Sequence, residues 1–272
     1  MDEAVGALLD RFLAGLRAVE PAVGLVALWL HGSLALGDFQ AGRSDLDLIA
    51  VVDPAAAGAD PRGPGAEPRS ARQGLDAAQK RALAAMHARF DAEEPLAAKL
   101  HCSYVATGVI GEQEIGHPTW AHRSWFSRPV TAVTRRELLT GDRSLYGPPP
   151  GALLPAVSDA ELAAFVRADL RTFWLPATRR PVRWLQDVWA DAGPLTVARA
   201  TVTLQDGRLI TKGEALDVLL RIGAPPRLVA DIRGRRYGRP LPLSAAGRVR
   251  RAQTVRTFTR SRIRAALALG EA

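Results

Sequence analysis

At 272 residues the chain is long enough for one large or two medium domains, and a hydrophobic fraction of 47% supports a packed core, which excludes a disordered polypeptide. The net charge of +8 favours anionic partners, nucleotides and nucleic acids alike. Arginine carries nearly all of it, with lysine only at Lys80, Lys99 and Lys212, amid abundant alanine, glycine and proline, so basicity alone decides little.

The chain opens on Asp2 and Glu3 rather than on a basic stretch followed by an apolar one, so no targeting signal is read and a cytoplasmic location is expected. Leu8, Leu9, Phe12, Leu13 and Leu16 recur at the spacing of one helical face across 4–19, and Pro21 closes that helix. Gly24-Leu-Val-Ala-Leu-Trp-Leu reads as a buried strand, far too short to cross a bilayer, so no membrane partner is expected. Residues 46–52 read as a second strand. Between 54 and 70 alanine, glycine and proline dominate, the composition of a mobile loop. Helical spacing returns over 74–90 through Leu75, Ala78, Leu83 and Met86, and Pro95 ends it. Lys99-Leu-His-Cys-Ser-Tyr-Val reads as a third strand. Its Cys102 is the only cysteine, which excludes an internal disulfide and a cysteine-built zinc site and reads as an inert buried thiol.

Residues 111–128 look irregular and aromatic, with Trp120, Trp125 and Phe126; 130–139 read as a helix, and Gly147-Pro-Pro-Pro-Gly marks a break. Beyond Ser158 every apolar pattern is helical: 162–175, 184–189, 195–204, 215–222 and 245–269. The expected class is α/β (α+β): a small mixed sheet with packed helices over 1–155, then a helical bundle over 156–272.

Chemistry concentrates between the first two strands, in His31-Gly-Ser-Leu-Ala-Leu-Gly-Asp-Phe-Gln-Ala-Gly-Arg-Ser-Asp-Leu-Asp-Leu. Asp45 and Asp47 lie two apart on a strand and point the same way, while Leu46 and Leu48 turn to the core. Adjacent carboxylates repel, and a divalent cation relieves the repulsion. Mg²⁺ suits them because it accepts one or two carboxylates and keeps positions for substrate phosphates. Gly32 and Ser33 supply a tight turn whose backbone and hydroxyl can approach a triphosphate. The competing role for the aspartates is a solvated strand end.

Gly32-Ser33, a short spacer, then Ser44-Asp45-x-Asp47 followed by apolar residues resembles the DNA polymerase beta superfamily of nucleotidyltransferases. The His-Gly-Ser and Arg-Ser-Asp-Leu-Asp-Leu runs resemble its aminoglycoside adenylyltransferase branch. Residues 195–215 resemble the helical domain of the same enzymes, where an arginine-bearing helix leads through a glycine turn to a Ser/Thr-Lys pair, here Arg199, Gly207 and Thr211-Lys212. The resemblance implies Mg²⁺-dependent transfer of AMP from ATP to a small-molecule hydroxyl, of aminoglycoside type; a monomer or weak homo-oligomer is expected. Asp45 and Asp47 would hold the metal, and Gly32, Ser33, Ser44, Arg199 and Lys212 would bind the nucleotide. Independently, Thr211-Lys-Gly-Glu214 is a capping-box pattern, which sets Lys212 at a helix N-terminus where free N–H groups and the helix dipole favour phosphate.

Where the family carries a third carboxylate, as general base or further metal ligand, this chain has His101. A neutral imidazole can accept a proton but cannot supply the same negative charge. Glu112 and Glu114, just beyond that strand, are the alternatives. For the acceptor, Trp184, Asp187, Trp189 and Asp191 fall on one helix-like stretch and Trp120 and Trp125 could form an opposite wall, with bundle core and loop anchor as the competing roles. Arg248, Arg250, Arg251, Arg256, Arg260, Arg262 and Arg264 could hold RNA or DNA. Only Phe258 interleaves them, so a solvated helical face is preferred and nucleic acid is not expected. The alternatives to an enzyme are a catalytically degenerate nucleotide-binding or regulatory module, which His101 supports, and a nucleic-acid-binding protein using the basic C-terminal helix.

Overall fold

The computed structural model describes residues 3–55, 74–112 and 115–269, so the loop expected over 54–70 falls almost wholly outside the described residues, as does Glu114. The chain divides into two compact units, Met1–Ala156 and Val157–Ala272.

The first unit runs α1 (Glu3–Ala18), the one-turn α2 (Glu20–Val23), β1 (Leu25–His31), the one-turn α3 (Gly32–Ala35), β2 (Leu46–Val52), α4 (Ala77–Glu93), β3 (Leu100–Ala106), β4 (Gly116–Ala121), β5 (Ser124–Pro129), α5 (Ala132–Gly141), β6 (Arg143–Tyr146) and the one-turn α6 (Pro150–Leu153). The strands form one sheet in the order β5-β4-β3-β2-β1-β6. β2 and β3 pair in parallel across the α4 crossover, and the other neighbours are antiparallel.

Strand periodicity sorts the side chains onto two faces. Leu28, Leu30, Leu46, Leu48, Cys102 and Tyr104 pack with Leu8, Phe12 and Leu16 of α1 and Leu83, Met86 and Phe90 of α4. Ala27, Trp29, Ile49, Val51 and Val105 form the opposite face with Val130, Leu138 of α5 and Leu154. Both faces are therefore covered, as expected of a largely apolar β1 and β2. Asp47 and His101 fall in phase with Ile49 and Val105, on the α5 face. Burial pushes the Cys102 thiol up to about 12, in accord with an inert thiol.

Two expectations fail in this unit. The stretch 111–128 contains the antiparallel hairpin β4–β5, joined by His122 and Arg123. The short β6, which pairs with β1, was not read as a strand either. Neither hairpin turn residue is a glycine or asparagine, and β5 is an exposed edge, so the usual turn and alternation signals are missing.

His87 of α4 is buried beneath this hairpin. Its ring stacks on Trp120 at 4.9 Å and its Nε2 is 2.7 Å from the Tyr104 hydroxyl. Burial pushes its pKa down to about 3 from an ordinary 6.5. Between those values the unfolded chain holds a proton that the folded one refuses. The contribution to stability is therefore complete above pH 6.5 and is lost as pH falls toward 3. His87→Phe, which keeps the ring contacts, should unfold at nearly the same urea concentration at pH 7 and at about pH 5, whereas the parent's midpoint should drop.

The second unit comprises α7 (Asp159–Asp169), a π-helical turn over Leu170–Trp174, the short α8 (Leu175–Ala177), a 3₁₀ turn over Pro181–Leu185, α9 (Asp187–Asp206), α10 (Lys212–Arg221), α11 (Pro226–Arg236) and α12 (Ala245–Ala268). Its core joins Trp184 to Leu195, Ala198 and Val202 of α9, Leu216 and Leu219 of α10, Leu228 and Ile232 of α11 and Val255 of α12. The expected helices over 184–189 and 195–204 are instead a 3₁₀ turn and one helix, α9, which runs through Pro194. The expected 162–175 helix is interrupted by the π turn, and α11, whose arginines dilute its apolar spacing, was not foreseen. Among the described residues no helix is long and apolar enough to cross a membrane.

Candidate functional site

The end of β1, the start of β2 and the start of β3 meet at one edge of the sheet. Register sets His31 opposite Asp47 and Asp47 opposite His101. Between β1 and β2 the chain turns at Gly32, whose φ of +67° is a left-handed conformation that side chains disfavour. A Cβ on Gly32 would lie 2.8 Å from Asp47 Oδ2, so the missing side chain is what lets the turn and the carboxylate approach. Ser33 is the second residue of the one-turn α3. Ser44 closes the following loop, its hydroxyl accepting from the Gln40 N–H at 3.0 Å.

Asp45 and Asp47 are half-buried and alternate with buried Leu46 and Leu48. Each has a cationic or ionisable neighbour. Lys99 Nζ stands 3.5 Å from Asp45 Oδ1, and His101 Nδ1 stands 3.5 Å from Asp47 Oδ1. His101 Nε2 is buried and, among the described residues, has no hydrogen-bond partner. The His122 ring packs edge-to-face on the His101 ring, centroids 4.6 Å apart at 74°. On the β1 side, His31 Nδ1 lies 3.8 Å from the buried Glu137 carboxylate of α5.

Among the described residues no three His, Cys, Asp or Glu side chains converge as a metal-binding group. The aspartate pair still fits Mg²⁺, which needs only one or two carboxylates when phosphate oxygens and water complete its shell. Glu112 follows the C-terminal end of β3, whereas His101 stands at the N-terminal end of the same strand. The structure therefore brings Gly32, Asp45, Asp47 and His101 together and sets Glu112 apart. Sequence reasoning missed Lys99 and His122, because each reaches the site only through strand pairing.

In the second unit, Arg199 Nε donates to the Ile210 carbonyl at 2.9 Å, which anchors the guanidinium on the turn leading into Lys212. Thr211 and Glu214 form the capping box, with Glu214 N–H to Thr211 Oγ1 at 3.1 Å and Thr211 N–H to Glu214 Oε2 at 2.8 Å. Lys212 is exposed on the first turn of α10.

Of the acceptor candidates, Trp125 belongs to the first unit and Asp187, Trp189 and Asp191 to the second. Trp125 packs on Trp120 and Tyr104, on the sheet face opposite Asp47. Asp187, Trp189 and Asp191 do share the start of α9. Asp191 receives a bidentate contact from Arg235, and Asp187 pairs with Arg251 at 2.6 Å. Burial raises the Asp191 carboxyl even against that guanidinium. Trp189 lies among Phe173, Trp174 and Trp184, with the Arg183 guanidinium 4.9 Å over its ring. Several of the α12 arginines are engaged within the unit: Arg248 donates to Leu243 O, Arg251 to Leu185 O and Arg256 to Thr178 O.

No protein-family model and no curated protein matches the chain. In fold it is similar to a spectinomycin adenyltransferase, AAD(9), from Enterococcus faecialis, whose crystal structure contains ATP and spectinomycin. The TM-score is 0.61 at 12% identity, over 96% of this chain and 98% of that one. At that identity the likeness is one of fold alone.

Proposed function

We propose that this chain is a nucleotidyltransferase that moves AMP from ATP to a hydroxyl of a small molecule, with aminoglycoside-type antibiotics as the acceptor class. The observation that carries the reading is the meeting of Gly32, Asp47 and His101 at adjacent strand ends. The fold shared with an adenyltransferase crystallised with ATP and spectinomycin supports it. Asp45 and Asp47 would hold Mg²⁺, which when bound neutralises the triphosphate. Gly32 and Ser33 bring backbone close to it, and Arg199 and Lys212 are the cations of the second unit proposed for the nucleotide. His101 Nδ1 takes the proton of the acceptor hydroxyl. The acceptor oxygen bonds to the α-phosphorus as the bond to the bridging oxygen breaks, and that electron pair leaves with pyrophosphate. Positioning and charge neutralisation supply the acceleration.

The absence of a third carboxylate from the described cluster favours a second reading, a module that binds nucleotide and makes no product. Incubation with each nucleoside triphosphate, Mg²⁺ and a panel of aminoglycosides and spectinomycin, followed by mass analysis, separates the two. An AMP adduct is expected, and ATP binding with no adduct on any acceptor would favour the module. Within the same reading, Lys212→Ala should weaken ATP binding by about 1.5–3 kcal/mol, the range for a charge-assisted contact. Lys80→Ala, on an exposed turn of α4, should not. Equal affinities by calorimetry would remove Lys212 from the nucleotide site.

A further inference from the structure

His101 offers the site a single nitrogen. Its Nε2 is enclosed with no hydrogen-bond partner among the described residues, while Nδ1 faces Asp47. An imidazole is ordinarily locked by a hydrogen bond at the nitrogen that does not react. Among the described residues Nε2 has no such bond, and the ring packs edge-to-face against His122.

The backbone that delivers His122 is costly. Ala121 pairs with Ser124, so His122 and Arg123 make a two-residue hairpin turn, with φ of 51° and 60°. Such turns select Asn-Gly or Asp-Gly because both positions lie in the left-handed region. A turn that served only to reverse the chain would gain stability from those residues. Arg123 has its own destination, 4.0 Å from Asp91 of α4. Strain of this kind persists where the surrounding structure enforces it, and it clusters at functional sites.

Resting on the nucleotidyl-transfer reading, we propose that His122 is a positioning residue for that reaction: its ring holds the His101 imidazole in the pose that turns Nδ1 to Asp47. It acts through the His101 ring that it packs against.

The test separates ring from backbone. His122→Gly and His122→Asn relieve the left-handed strain and remove the ring, whereas His122→Phe keeps a ring and keeps the strain. The first two should melt at or above the parent temperature yet lose kcat by roughly 10- to 100-fold, the scale of a small misplacement at a reacting group, with KM for ATP unchanged. His122→Phe should retain kcat within about threefold while melting no higher than the parent. Unchanged kcat in His122→Gly, or equal losses in His122→Gly and His122→Phe, would overturn the proposal. If the parent transfers nucleotide to no acceptor, the transfer reading fails by itself, and the ring pose is judged by NMR. His101 should then give one narrow set of imidazole signals in the parent and in His122→Phe, and broadened or doubled signals in His122→Gly. One narrow set in all three refutes the positioning role.

Discussion

Replacing Asp45 and Asp47 together by asparagine is expected to reduce Mg²⁺-dependent transfer by about 10³-fold or more while leaving the fold in place. The magnitude follows from charge: a carboxylate-bound divalent ion stabilises a phosphoryl transition state by several kcal/mol, and each 1.36 kcal/mol is about tenfold in rate. Asparagine has nearly the same shape and keeps one acceptor oxygen, so neither Lys99 nor His101 loses its packing. What disappears is the pairing of Asp45 with Lys99 and of Asp47 with His101, both at 3.5 Å. Asp45 and Lys99 are each 39% exposed in their side chains, and exposed pairs of that kind contribute about 0–1 kcal/mol. Removing two like charges from neighbouring positions offsets part of that loss. The melting temperature should therefore move by only a few degrees, about the shift expected for 1 kcal/mol in a domain of this size. A double variant that transfers nucleotide at the parent rate would dismiss the aspartates as the metal site.

Those aspartates were legible because the signal is local. A strand of period two presents alternate residues on one face, so Asp45 and Asp47 could be paired and Leu46 and Leu48 sent to the core without knowing the sheet. The capping box at Thr211 and Glu214 was legible for the same reason, since both partners lie within one helical turn. Lys99 reaches Asp45 and His122 reaches His101 from far along the chain, and only the parallel pairing of β2 with β3 and the β4–β5 hairpin bring them near. His122 was doubly hidden, because its turn uses two residues that ordinarily argue against a turn. The aromatic run at Trp120–Phe126 looked irregular for a related reason. β5 is exposed along most of its length, and a strand with no buried face shows no alternation. The two helices expected over 184–189 and 195–204 leave a gap that holds Pro194, a residue that ordinarily breaks a helix, yet α9 runs through it from Asp187 to Asp206.

Gly32→Ala tests the approach of the turn to Asp47, and Gly37→Ala is its matched control. Both glycines hold left-handed backbone, with φ of +67° and +73°, so an added methyl costs each about 1–2 kcal/mol of stability from conformation alone. They differ in what the methyl meets. At Gly37 nothing lies within 4 Å, whereas at Gly32 the new carbon would stand 2.8 Å from Asp47 Oδ2 and 3.6 Å from its Cβ. The end of an aspartate side chain can swing aside, so Gly32→Ala should fold, with a loss of stability close to that of Gly37→Ala. The displaced carboxylate is the one beside His101, however, and a misplacement of about 1 Å at a reacting centre can cost roughly 10²-fold in rate. Urea melts of the two variants should thus nearly coincide while their transfer rates differ by about that factor, Gly37→Ala remaining near the parent. If both lose activity equally, backbone strain in the 32–44 segment is the cause. If neither does, the closeness of Gly32 to Asp47 has no part in the chemistry, and the turn serves only to connect β1 to β2.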